Sequence, residues 1–193
     1  MTYREALAAA MVELAADPRA VFLGQSVVAG GTAVAATLRD VPAAQKIELP
    51  VFEDIQMGLS TGLALAGYLP VSIYPRINFL LLAVNQLVLH LDALPLYSDY
   101  RPRVIIRTAI PTPHPLDPGP QHLDPTSDVL STRPHPEGIT GVEYLYPGGY
   151  VVSLREMLRT IEIEELTSTR EILPAYRAAL ARPLSTILVE RAS

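Results

Sequence analysis

Short apolar and β-branched runs alternate with helical stretches along the whole chain, and this alternation restricts the fold more than any other feature of the sequence. AVFLGQSVV, KIELP, LPVSIYP, RVIIRTAI, GVEYLYP and PLSTILVER have the length and composition of strands. The first reads apolar on both faces, as a strand covered on two sides does. Between them lie helical stretches. One covers residues 2–16, capped by Thr2 and ended by Asp17-Pro18. A second starts at Glu53 and ends at Gly67, a third spans 78–96, and a fourth is YVVSLREMLRTIE. AGGTAVAATLRDVPAAQ reads as small-residue loop with a short helix. The pattern predicts an α/β fold of three layers, a mostly parallel sheet covered by helices on both faces. The length of 193 residues and the lack of an internal repeat or long linker predict a single domain over 1–193.

Composition removes several classes of function. There is no cysteine, so disulfides, thiolate metal sites and a cysteine nucleophile are excluded. Charged residues make up 18% and the net charge is -5, with no basic patch interleaved with aromatics. Nucleic acid and anionic membrane surfaces are not expected partners. The most apolar window, INFLLLAVNQLVLHLDAL, carries Asn78, Asn85, Gln86, His90 and Asp92, too many polar groups for a bilayer span. It reads as a buried or interface helix, with His90 a satisfied buried histidine. The N-terminus reads as an amphipathic helix and not a signal peptide, which suggests a cytoplasmic protein. The hydrophobic share of 49% is high for this length and predicts an oligomer.

Three groups of residues could carry chemistry. Glu53 stands where a strand gives way to a helix, at the usual ligand edge of an open α/β sheet. A carboxylate there is either a helix N-terminal acid favoured by the macrodipole or a functional group. Gly58 and Gly62, four apart beside Ser60, Thr61 and Ala64, make a small-residue face suited to close packing in the core or between subunits. The loop PTPHPLDPGPQHLDPTSD has four prolines before Gly119, which rule out regular structure. It holds His114, Asp117, His122 and Asp124. Two imidazoles and two carboxylates could bind a divalent metal, but the spacing matches no defined metal motif. A single working histidine, His122 or His114, is the other reading. Phe79 on its own reads as core. No GxSxG, P-loop or GxGxxG motif is present, and the Gly-Gly-Thr at 30–32 is too short to mark phosphate binding.

In order and spacing, MTYREAL, VFLGQSV, PVFEDIQMGLSTGLALAG, INFLLLAVNQLV and GPQH resemble the pyrimidine-binding domain of thiamine diphosphate enzymes of the transketolase-like family. The nearest pattern is the β subunit of 2-oxoacid dehydrogenases, whose segments read TxREAL, VFLLGEDV, PISE with a glycine-rich helix, and GPQHSQ. The resemblance implies that Glu53 hydrogen-bonds the pyrimidine ring of thiamine diphosphate and takes part in its proton relay. It implies that Phe79 stacks on that ring and that His122 faces the reacting carbon. Gln25 takes the place of an acid common in the family and would adjoin the cofactor. Gly58 and Gly62 would lie at the interface between subunits. The GDG motif that holds magnesium and diphosphate is missing, and so is the family's C-terminal domain. The implied partner is therefore a diphosphate-binding, α-type subunit carrying GDG, in an α2β2 heterotetramer. The implied reaction is decarboxylation of a small 2-oxoacid, or transfer of an acyl or two-carbon unit from a ketose. Two other readings stand beside it: a non-catalytic scaffold or regulatory relative, and a metal-dependent hydrolase using the His114–His122 loop.

Overall fold

The computed structural model describes residues 1–110 and 154–191. Among these residues six strands form one sheet: β1 (Ala20–Gly24), β2 (Lys46–Glu48), β3 (Leu69–Tyr74), β4 (Ile105–Ile110), β5 (Glu162–Leu166) and β6 (Thr186–Arg191). Their order is β2-β1-β3-β4-β6-β5, and every pairing is parallel. The expected sheet was mostly parallel; among the described residues it is wholly so.

Helices cover both faces, and the two-residue period of the strands assigns side chains to each. On one face Phe22, Val71, Ile105 and Leu188 pack against α1 (Tyr3–Ala15), α2 (Ala33–Thr37) and α7 (Thr169–Ala181). On the other, Tyr74, Ile106, Ile187 and Val189 meet α3 (Glu53–Leu65), the segment 77–97 and α6 (Leu154–Met157). Neighbours such as Ile105 and Ile106 thus serve different cores, which is why the strands read as continuous apolar runs.

The first helix begins where expected. Thr2 Oγ1 accepts from the Glu5 N–H at 3.2 Å, and the Thr2 N–H donates to Glu5 Oε2 at 2.7 Å, a reciprocal cap. The third stretch differs from the single helix expected over 78–96. It is α4 (Ile77–Leu80), a 3₁₀ turn over Leu81–Ala83, a π-helix over Gln86–Asp92 and α5 (Leu94–Tyr97). The axis bends by 67° between Ile77–Ala83 and Gln86–Tyr97. Asp92 gives a physical reason for the altered winding. Its buried carboxylate accepts from the N–H groups of Arg159, Thr160 and Ile161 at 2.8–3.1 Å. Holding that turn fixes which way residue 92 faces, and the wider π winding meets the demand. His90 is exposed, not buried as expected. No single helix among the described residues is long and apolar enough to cross a membrane.

The fourth helix also differs. Of YVVSLREMLRTIE, Leu154–Met157 is helical and Glu162 already belongs to β5. The strand β5 and the helix α7 had no counterpart in the sequence reading. The expected strand GVEYLYP and the proline-rich loop lie outside the described residues.

Candidate active site at the carboxyl edge of the sheet

The strand order places a switch point beside β1. From β1 the chain crosses to β2 on one side, then returns through α3 to β3 on the other. In an open parallel sheet the crevice between two such strands, outside their carboxyl ends, is where ligands bind. Gln25 follows β1 directly, and Glu53 is the first residue of α3. Pro75, Arg76 and Phe79 follow β3.

The strands approach closely here because residue 24 is glycine. Its φ is +148°, and an added Cβ would stand 2.3 Å from the Ile73 carbonyl oxygen. Gln56, one turn into α3, ties that helix to β3 by donating to Ser72 Oγ at 3.1 Å and to the Ile73 carbonyl at 3.0 Å. The Tyr74 hydroxyl donates to the Glu53 carbonyl at 3.2 Å, anchoring the first residue of the helix. Burial pushes the Tyr74 phenol well up, so it acts as a neutral donor.

Glu53 is 6% exposed. Gln25 Nε2 donates to its Oε1 at 3.2 Å. Two residues 28 apart, both expected to adjoin one cofactor, are therefore in direct contact. Oε2 of Glu53 carries no hydrogen bond among the described residues. A carboxyl group with one oxygen fixed by an amide and the other unused can hold or pass a proton at that second oxygen. Phe79 is half-buried beside the second core, and the Arg76 guanidinium lies 5.4 Å from its ring centroid. That distance is within cation–π range.

The loop leaving β1 is held by a residue that the sequence did not single out. Glu48, at the end of β2, accepts from the N–H groups of Ser26 and Val28, each at 2.6 Å, and of Ala29 at 3.4 Å. Loss of some solvent around the exposed Glu48 opposes its charge, but these bonds outweigh it and keep the carboxyl below its usual range. Further along the loop, a cavity of about 530 Å³ is lined by Arg4, Arg39, Lys46 and the Gly30–Thr32 turn. A Cβ at Gly30 or Gly31 would meet nothing within 4 Å, so the backbone there lies open.

The other expectations separate. His122, His114, Asp117 and Asp124 lie outside the described residues. Among the described residues no group of three or more His, Asp or Glu could hold a metal ion. Gly58 packs within the chain, its nearest neighbour being Gln86 Oε1 at 3.5 Å from an added Cβ, whereas Gly62 meets nothing within 4 Å. Ile55 and Leu59, on the same open side of α3, are exposed. Of the site residues missed, Glu48 had the faint signal of an acid beside Leu49-Pro50, and Arg76 had none.

No protein-family model and no curated protein matches the sequence. Solved structures do match the fold. One, described as a split gene transketolase, inactive beta4 tetramer, aligns with 100% of this chain and 52% of its own, at a TM-score of 0.64 and 15% identity. The chain has a transketolase-type fold. It spans about half the length of that transketolase chain. The α/β class and transketolase-like architecture expected from the sequence are therefore met. In this transketolase-type domain, Gln25, Glu53 and Phe79 all lie near the carboxyl ends of β1 and β3.

Proposed function

We propose that the chain is the pyrimidine-binding subunit of a split thiamine diphosphate enzyme. With a partner chain that holds magnesium and the diphosphate, it would decarboxylate a small 2-oxoacid or transfer an acyl or two-carbon unit. The observation that carries this reading is the contact of Gln25 with buried Glu53 at the switch point of a transketolase-type sheet.

The residues present suit that cofactor. Glu53 offers an unused carboxylate oxygen to a ring nitrogen, and Phe79 offers an aromatic surface. Thiamine diphosphate, when bound, supplies the carbanion chemistry that breaks a bond beside a carbonyl. This chain's own part is orientation and proton handling. Gln25 fixes Oε1 of Glu53, so the proton is held or moved at Oε2. The Tyr74 hydroxyl and the Gln56 amide set the start of α3 against β3, and with it the direction of Glu53. The cation-lined cavity beyond the β1 loop suits an anionic substrate such as a 2-oxoacid or a phosphorylated ketose. His122 would act from the loop outside the described residues.

The exposed apolar side of α3, with Ile55, Leu59 and the open Gly62, favours a subunit contact there. The related solved structure is described as an inactive tetramer of β chains. That description agrees with a chain that is inactive without a second kind of subunit. The test is to purify the chain from its host, identify any GDG-bearing chain that comes with it, and reconstitute the two. Glu53→Ala should lower the reconstituted rate about 10²–10⁴-fold, the usual worth of a general acid–base group. An unchanged rate would refute the reading, and a partner-free homo-oligomer that never binds thiamine diphosphate would favour the scaffold.

A further inference from the structure

We propose that Glu48 is a positioning residue for the candidate site, its carboxylate holding Gln25 in contact with Glu53. The argument rests on the chain path. Gln25 is the first residue after β1, and Ser26 follows with φ +62°, a left-handed conformation that costs free energy for a residue with a side chain. Such a conformation persists only where its surroundings over-determine it. Glu48 does so from both carboxylate oxygens. Oε1 accepts from the Ser26 N–H and Oε2 from the Val28 N–H, each at 2.6 Å, as short contacts to an ionised carboxylate. One residue on, the Leu49 N–H donates to the Gly24 carbonyl at 2.9 Å. The backbone of Gln25 is thus clamped before it and after it by consecutive residues of one strand end. The same turn is extended by Thr32, whose hydroxyl donates to the Ser26 carbonyl at 3.3 Å.

Four residues lie between Glu48 and Glu53, and Pro50 among them stiffens the link. The two carboxylates therefore act as a pair with different duties. Glu48 grips the backbone of the loop, and Glu53 receives the side chain that the loop presents. Glu48 is exposed, so its contribution comes from geometry and not from a buried charge. The catalytic meaning of the clamp rests on the function proposed above, whereas the clamp itself can be measured without cofactor or partner.

The test is NMR on the ¹⁵N-labelled full chain, comparing wild type with Glu48→Gln and Glu48→Asp. In Glu48→Gln the amides of Ser26 and Val28 should exchange about tenfold faster, the scale of one lost charge-assisted bond. The Gln25 side-chain amide pair should move toward the position of free glutamine, while Phe22 and Val71 amides stay protected. Glu48→Asp, which keeps the charge, should recover part of the Gln25 shift. A Gln25 side-chain signal that stays in place while Ser26 and Val28 open would overturn the proposal, as would no change at any of them. If Glu48→Gln does not fold, the same readings are taken with Ser26→Gly added, which removes the left-handed strain. Failure of Glu53→Ala to affect catalysis would leave these signals untouched, so the two ideas fail separately.

Discussion

Glu190→Leu should destabilise the protein by about 3 kcal/mol, because it strands a buried guanidinium. Arg107 and Glu190 side chains are 5% and 6% exposed. Arg107 donates to Glu190 at 2.6 and 3.2 Å and to Thr37 Oγ1 at 2.8 Å, and the Tyr176 hydroxyl donates to Glu190 at 2.7 Å. Burial alone would pull the Arg107 pKa down; the Glu190 charge outweighs it and holds the net shift upward. Losing one member of a buried pair costs about 3–5 kcal/mol. A cavity of about 290 Å³ adjoins Arg107 and Glu190, and water entering it should keep the loss near the lower end. Arg107→Met with Glu190→Leu removes both charges and leaves Tyr176 and Thr37 each short of one bond, a loss of about 1–2 kcal/mol. The assay is urea unfolding followed by circular dichroism at one fixed protein concentration. For this chain length about 3 kcal/mol corresponds to roughly 6–12 °C in Tm. The reasoning is refuted if the double variant loses as much as the sum of the two single ones.

Three further outcomes are expected of the protein. Glu48 has a depressed carboxyl pKa in the folded state, so the stability it adds is present above about pH 5 and lost as pH falls through that lower pKa; the Tm difference between wild type and Glu48→Gln should therefore close on acidification below about pH 4, as thermal scans across that range would show. Gly24→Ala should cost about 3 kcal/mol or more, since it combines an unfavourable φ with a contact of 2.3 Å to the Ile73 carbonyl, and a urea midpoint equal to wild type would contradict it. Leu59→Asp on the open side of α3 should leave unfolding of the separate chain within about 0.5 kcal/mol but weaken association, read by sedimentation; unchanged association would remove that face from the proposed contact.

Much of this was legible in the sequence because parallel strands buried on both faces leave a plain signature. β1, β3, β4 and β6 were each expected within a few residues. Glu53 could be placed because a strand-to-helix turn is a local feature, and the family resemblance assigned Gln25 to the same cofactor, whereas their direct contact is known from the structure alone. The misses have separate causes. Pro174 stands inside α7, and a proline there reads as a break, since it removes a helical N–H. The signal that could have overridden it is the capping box of Ser168 with Glu171, where the Ser168 N–H donates to Glu171 Oε2 at 3.0 Å. Among the described residues β5 lies at the sheet's edge, with three glutamates in five residues, and neither its acidity nor its position marks a strand from sequence. The broken helix over 77–97 depended on Asp92 meeting residues 159–161, a contact about 67 positions away that no local pattern encodes. His90 follows from the same break, which turns it to solvent.

The position of β6 carries a consequence for how the chain comes into being. It is bonded on one side to β4 and on the other to β5, although β5 precedes it in sequence. Until residues 186–191 join, β4 lacks the neighbour it has among the described residues, and Arg107 lacks its carboxylate 83 residues downstream. Assembly of the sheet's second half must await the strand at 186–191, the latest in sequence among the described strands, which inserts between two earlier ones. Long-range parallel pairing of this kind forms slowly and leaves apolar edge surface open meanwhile. The partly assembled sheet, rather than the finished one, is then the form most exposed to aggregation.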